Sequence, residues 1–394
     1  MLFWELVFRK AKRLYGDPLP DPFRERLKLE QKQIETWGLE KRLLGLWKLI
    51  TRCKGVEDMA VQVDEHCSHY LSLFLLGMTQ VNPMMPHYIC PRCYHIRFVP
   101  NAATQGELWT KACCTCGSEI LSLGYDLPLE EPDAAWKPMI RVSASQLELL
   151  EKWNAELPPG ERIQIEKDLR LELLHQMLRQ SGIDFWEISP YDTERLDLFA
   201  RPLMGFYDED SCLGIEEIVS SHAMIKLLLF VNGGSLDELI RLSGCSLAGS
   251  AEAVLSLCRA GNAFEDLTLF DAPGLPSKAA CIANALLALR FAYVKLVSPE
   301  VFYAVSVDWM CPDSWGCGDP DISAEESWTS ANALLELDDT VPEWVTVEEL
   351  AAYFDQCGKR IGQPFFGKEL MLLTEISASP YAAETWELID RLWF

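Results

Sequence analysis

The sequence predicts an α+β fold that is mainly helical, and three observations carry that prediction. Apolar residues recur at helical spacing in several segments, with capping residues before them and glycine or proline after them. Set among these segments are Cys90-Pro91-Arg92-Cys93 and Cys113-Cys114-Thr115-Cys116, two C-x-x-C turns separated by nineteen residues, the pattern of a zinc ribbon. Composition is that of an ordinary globular protein, 49% hydrophobic and 24% charged over 394 residues, enough chain for two or three domains.

Fourteen cysteines without a secretory signal point to a reducing cytoplasm, where thiols are free or metal-bound. Glu5 and Arg9 interrupt the apolar start, and the longest apolar runs, near residues 71–78 and 227–231, are too short to span a bilayer, so no membrane segment is expected. Charge is unevenly spread. Residues 1–54 carry thirteen Lys/Arg against seven Asp/Glu, whereas residues 296–358 hold fourteen acidic residues and no Lys or Arg, within a net charge of −24. Nucleic-acid affinity comes largely from basic groups that displace counterions, so DNA binding is expected to be weak and confined to the N-terminal part.

Taken in order, residues 2–15 place Leu2, Phe3, Leu6, Val7 and Leu14 on one helical face and Arg9, Lys10, Lys12 and Arg13 on the other. The run Gly16-Asp17-Pro18-Leu19-Pro20 breaks that helix, and Asp21-Pro22 predicts an N-cap followed by proline at the first helical position. At the paired turns, Cys90, Cys93, Cys113 and Cys116 supply four thiolates for one structural Zn²⁺ at about 2.3 Å each. Two residues between the cysteines aim both sulfurs at one point, and Gly117 frees the backbone behind the second turn. Cys114 reads as a bystander, and His87 and His95 as substitute ligands or neighbours of the shell. A closed four-thiolate shell leaves no position for a catalytic water.

The words flanking these turns resemble the segments entering and leaving the zinc loop of PolC-type replicative DNA polymerases, the C-family alpha subunits. Entering is Val81-Asn82-Pro83-Met84-Met85-Pro86-His87-Tyr88-Ile89; leaving is Gly124-Tyr125-Asp126-Leu127-Pro128-Leu129-Glu130. Residues 4–30 resemble the start of that family's palm, and the resemblance extends with deletions to about residue 308. It implies a reduced palm, an inserted zinc ribbon and shortened helical fingers: 1–80 an N-terminal palm-like part, 81–131 the zinc ribbon loop, 132–214 a shortened palm-like part, and 215–308 reduced fingers. Residues 309–394 are an acidic C-terminal part of unknown fold. The exonuclease, OB and PHP domains that precede the palm in the family are not expected.

The resemblance also locates what catalysis would need. Two-metal polymerases hold two divalent cations between carboxylates, and the family places two of these as Pro-Asp-x-Asp on a strand, whose period points both side chains one way. The matching stretch is Pro132-Asp133-Ala134-Ala135-Trp136, with alanine at the second position; Asp133 is either a remnant or a loop acid beside Pro132. The segment around Leu169-Arg170-Leu171-Glu172-Leu173 resembles the strand bringing the third aspartate, with Glu172 in its place. The family's Gly-Ser loop, which cradles the incoming triphosphate, falls on Gln62-Val63-Asp64-Glu65-His66-Cys67-Ser68-His69-Tyr70, where Asp64 and Glu65 would repel phosphate. His66, Cys67 and His69 lie close together there, but no further ligand pair sits nearby in sequence, and a second metal site is not expected.

Further on, Ser145 and Glu148 have capping-box spacing ahead of a stripe of Leu147, Leu150 and Trp153. The same Gln146-Leu147-Glu148-Leu149-Leu150 resembles a sliding-clamp-binding pentapeptide, although those leucines also serve the helix. Ser181-Gly182-Ile183-Asp184 matches a family turn, and residues 202–216 match weakly. Ser235 and Glu238 form another capping box, opening a helix that ends at Gly244, and residues 251–257 continue helically. Pro276-Ser277-Lys278-Ala279-Ala280-Cys281 resembles a motif whose lysine lies near nucleotide phosphates; Lys278 is as readily a surface lysine at a helix start. A helix through Leu286, Leu289 and Lys295 should close at Pro299. Cys311 and Cys317 are a weak metal pattern in a loop, and residues 346–354 and 368–376 predict short helices. The reading is a PolC-derived protein without catalysis that binds DNA or replication proteins. Its alternative is an active nucleotidyltransferase using Mg²⁺ on rearranged carboxylates.

Overall fold

A computed structural model describes residues 2–188 except 103, 109–112, 114 and 133–135, together with residues 235–247 and 276–310. The chain forms two units, Met1–Ser189 and Pro190–Phe394. Helices dominate, joined by two small three-stranded sheets. The predicted α+β class, mainly helical, agrees with this.

The first unit opens with α1 (Leu2–Tyr15), α2 (Asp21–Thr36) and α3 (Glu40–Cys53). Phe3 and Val7 are fully buried while Arg9, Lys10, Lys12 and Arg13 are exposed, as the periodicity requires. Asp21 is not the cap of α2. Pro20 holds that place without a side-chain bond, and Asp21 is the first helical residue, its carboxylate paired with Arg24 one turn on. Tyr15 stacks on Phe23 at 3.7 Å between ring centroids, which locks α1 to α2. Glu30 crosses from α2 to α4 (Leu71–Leu75). Completely buried, it accepts the Leu71 and Ser72 N–H groups at 2.7 and 2.8 Å and the Arg26 Nε at 3.0 Å. Gly45 lets the Pro159–Glu161 turn sit against α3, since a Cβ there would stand 1.8 Å from the Glu161 carbonyl oxygen.

One sheet is built from β1 (Val61–Val63), β5 (Met139–Val142) and β6 (Gln164–Lys167), in the order β1-β5-β6, antiparallel then parallel. Val61, Ile140 and Val142 turn one face to the core. The opposite face carries Gln62, Arg141 and Glu166 side by side in register. The other sheet is the antiparallel trio β3-β2-β4, from β2 (His87–Ile89), β3 (Ile96–Phe98) and β4 (Leu121–Leu123). Its base is laced shut: Tyr125, Leu127 and Asp126 donate backbone bonds of 2.9–3.0 Å to Asn82, Pro83 and Met84. Gly124, at φ +115°, permits this, because a Cβ would lie 2.6 Å from two carbonyl oxygens.

Two expectations change after β5. The cap before α5 (Leu147–Glu156) is Ser143, whose Oγ receives the Gln146 N–H and donates to the Gln146 side chain; Ser145 is not the cap. Residues 169–175 are no strand. They begin α6 (Leu169–Ser181), capped by Asp168 and closed by left-handed Gly182. Leu171, Leu174 and Leu178 are buried, a helical stripe that outweighs the local alternation.

In the second unit, α7 (Leu236–Leu247) opens with the predicted box: the Glu238 N–H donates to Ser235 Oγ at 3.2 Å and Ser235 N–H to Glu238 at 3.0 Å. The helix runs past Gly244. Ser277 caps α8 (Lys278–Val297), and Pro299 begins α9 (Pro299–Met310). By length and composition α8 is apolar enough to cross a membrane, although its polar residues break up any long apolar run, but 72% of that window is buried inside the protein. It also carries Lys278, Arg290 and Lys295, all buried, as a core helix of this unit. Asp133, Cys114, Cys311, Cys317 and the predicted elements at 202–216, 251–257, 346–354 and 368–376 lie outside the described residues.

Candidate metal centre

The four cysteines predicted as ligands come together. Their sulfurs all lie within 4.8 Å of one another, with Cys90 to Cys116 at 3.4 Å and Cys93 to Cys113 at 3.5 Å. Each pair is presented by the same backbone device. In the first turn Tyr94 N–H donates to the Cys90 carbonyl at 2.9 Å and Cys90 N–H to His95 at 3.0 Å. In the second, Gly117 N–H donates to Cys113 at 2.8 Å and Cys113 N–H to Ser118 at 2.7 Å. The residue after each turn is left-handed: Gly117 at φ 70°, as foreseen, and Tyr94 at φ 58°. Sequence reading missed Tyr94, since a tyrosine gives no signal of positive φ.

The electrostatics favour the thiolate at Cys113 and Cys116. Thr115 N–H lowers the Cys113 thiol, and hydrogen bonds from Ser118 draw Cys116 down to about 6. The His95 N–H draws Cys93 down, but its sheltered place among three other thiols pushes it up to about 12. A divalent ion would replace the protons that these sulfurs now share. The quartet could hold a soft tetrahedral ion such as zinc, by donor set and separation.

His87 and His95 are not in the shell. His87 is fully buried beside Tyr15, Phe23 and Phe98 and donates from Nδ1 to the Met85 carbonyl at 2.7 Å; burial lowers it to about 4. His95 is exposed and takes part through its backbone.

The remaining predicted site residues are dispersed. Glu172 is a half-buried helical carboxylate on α6 that accepts the Ser145 N–H at 2.8 Å and Oγ–H at 2.5 Å. Burial would raise it, yet the Ser145 bonds outweigh that and hold it below the usual range. Lys278 is buried at the start of α8 in the second unit, so the surface-lysine alternative fails. Asp64 does not face outward toward a ligand. It caps the 3-10 turn Glu65–His69, accepting His66 N–H at 2.9 Å, Met139 N–H at 3.2 Å and the Trp136 indole at 3.3 Å. Burial pushes it up to about 6. On the open sheet face Arg141 lies between Gln62 and Glu166 and pairs with Glu65 at 3.2 Å. Within the pentapeptide at 146–150, Gln146 donates to the Asp58 carbonyl at 3.0 Å and Leu150 is fully buried, while Glu148 and Leu149 are exposed.

No family model matches the chain. It is similar to a protein described as DNA polymerase III PolC-type from Streptococcus thermophilus, 33% identical over 128 residues, or 32% of this chain and 9% of that protein. A DNA polymerase III polC-type of Streptococcus pyogenes serotype M3 matches at the same identity and coverage. The relationship to PolC-type polymerases is therefore distant and partial, and the matched segment spans only 9% of those relatives.

Proposed function

We propose that this chain is a PolC-derived protein that keeps a palm-like frame and a structural zinc ribbon and has lost nucleotide polymerisation. In this reading residues 1–80 and 132–214 are palm-derived, 81–131 are the zinc ribbon, 215–308 are reduced fingers and 309–394 are an acidic addition. The single observation that carries it is the open face of the β1-β5-β6 sheet. Where a two-metal enzyme needs carboxylates converging on cations, this face sets Arg141 in register between Gln62 and Glu166, with its guanidinium paired to Glu65. Glu172 is occupied with Ser145, and the stretch aligned with the triphosphate cradle is a 3-10 turn capped by Asp64. Ala135 removes a further oxygen.

The protein would act by binding. Residues 1–189 hold 23 Lys/Arg against 26 Asp/Glu, and residues 190–394 hold 12 against 33, which supports at most weak DNA contact with a shallow salt dependence by the first unit. A replication protein is the other class of partner, in the cytoplasm. The test is nucleotide binding: titration with a deoxynucleoside triphosphate and magnesium should show no saturable binding. Saturable binding that Lys278→Ala abolishes would instead favour the reading as an active nucleotidyltransferase.

A further inference from the structure

Among the described residues outside the cysteine quartet, two histidines and a carboxylate stand close together in a way that chain order hides. His66 and His69 stand on the 3-10 turn after β1, and Glu130 reaches them from the segment leaving the β3-β2-β4 sheet. His69 Nδ1 lies 2.9 Å from the Pro128 carbonyl oxygen and its Nε2 lies 3.3 Å from Glu130 Oε2. Both neighbours only accept hydrogen bonds, so a neutral imidazole with one N–H can satisfy one of them and not both. The shorter carbonyl contact places the proton on Nδ1 and leaves the Nε2 lone pair facing a carboxylate oxygen. A second proton or a metal ion between them satisfies both. His66 turns Nδ1 toward the same Oε2 at 3.8 Å, and its Nε2 is buried without a hydrogen-bond partner beside the Trp136 ring, 4.6 Å away.

We propose that His69 Nε2, Glu130 Oε2 and His66 Nδ1 form a second metal site, for a divalent transition-metal ion of the zinc type with its remaining positions open to water. Nitrogen and oxygen donors near 2.1 Å from a tetrahedral ion stand about 3.4 Å apart, and the observed 3.3 and 3.8 Å bracket that spacing. A carbonyl holding the far nitrogen of a ligating imidazole is the usual way its ring is oriented. The two rings are 5.5 Å apart between centroids, so His69 and Glu130 seize the ion and His66 swings in to complete the set. Glu130 is 43% exposed and leaves an entry path. Cys67 takes no part: its buried thiol faces Asp64 Oδ2 at 3.7 Å. The site stands whether or not the chain is a lapsed polymerase.

Elemental analysis after dialysis of the full chain against micromolar free zinc tests the proposal. Wild type should hold two ions per chain, and His69→Gln and Glu130→Gln one each, the ion of the cysteine quartet. One ion in wild type, with a histidine proton titrating by NMR in place of the second, would mean that the pair shares a proton and would overturn the site. Thermal melting guards against misfolded variants. Added nickel should raise the wild-type midpoint and leave both variants unmoved, and an equal rise in a cooperatively folded variant would also overturn it. If a variant loses its cooperative transition, the wild-type stoichiometry decides alone.

Discussion

The two small sheets of the first unit are assembled from the sequence in opposite ways. The β3-β2-β4 sheet holds four cysteines on two local turns, each turn closed by its own backbone bonds, and all four sulfurs meet. The β1-β5-β6 sheet draws its open face from three strands that together span some hundred residues of chain, Val61–Val63, Met139–Val142 and Gln164–Lys167, and that face carries a cation and an amide beside its carboxylate. A site written in two short words survives as long as the words do. A site assembled from distant strands is erased by one substitution on any of them, while the apolar face beneath keeps the fold. The difference teaches where chemistry is vulnerable and where structure is not.

Removing metal should give the largest effect, and only on the cysteine-bearing sheet. Structural zinc sites contribute on the order of 10 kcal/mol to the local fold, so a strong chelator or Cys90→Ser should abolish amide protection in residues 87–123. Hydrogen exchange should show residues 139–181 still protected; their simultaneous loss would mean that the two sheets fold as one.

Next comes the frame common to both. Glu30→Ala leaves Arg26 unpaired and two buried N–H groups without an acceptor, a loss of about 3–5 kcal/mol in urea denaturation. Burial raises the Glu30 carboxyl against the pull of Arg26, so Glu30→Gln, which keeps an acceptor, should cost less.

A pH series separates the sheets more finely. His87, under the cysteine-bearing sheet, is depressed to about 4 from 6.5 by burial. The unfolded chain then binds the proton that the folded chain refuses. Stability from this group is complete above about pH 6.5 and is lost as pH falls toward 4. Asp64, beside β1, is raised from 3.8 to about 6, so its contribution has the opposite sign and stability rises on acidification through that window. Each term is on the order of 2–3 kcal/mol at most. His87→Phe should flatten the acid loss of stability, and Asp64→Asn should steepen it, in thermal melts between pH 7 and 4.

Much of this was legible beforehand. The stripe of Phe3 and Val7, the Ser235–Glu238 box and the Cys90, Cys93, Cys113 and Cys116 cluster are local patterns, and local patterns carry their own geometry. What stayed hidden was set by tertiary neighbours. Leu169 to Leu173 alternates like a strand, but Asp168 caps it and the core wants Leu171, Leu174 and Leu178 together. Asp64 looked like a charge facing a ligand; its partners Trp136 and Met139 lie far along the chain. Glu130 beside His66 and His69, and Arg141 on the open face, depend on strand pairing that no single window of sequence contains.

The central claim is that the frame outlived the chemistry, and primer extension tests it most directly. With magnesium or manganese, beside a full-length PolC control, the chain should incorporate no nucleotide, and Asp133→Ala and Glu172→Ala should be indistinguishable from wild type. Incorporation by wild type that both substitutions abolish would contradict the account and make Asp133 and Glu172 the metal ligands of a working site.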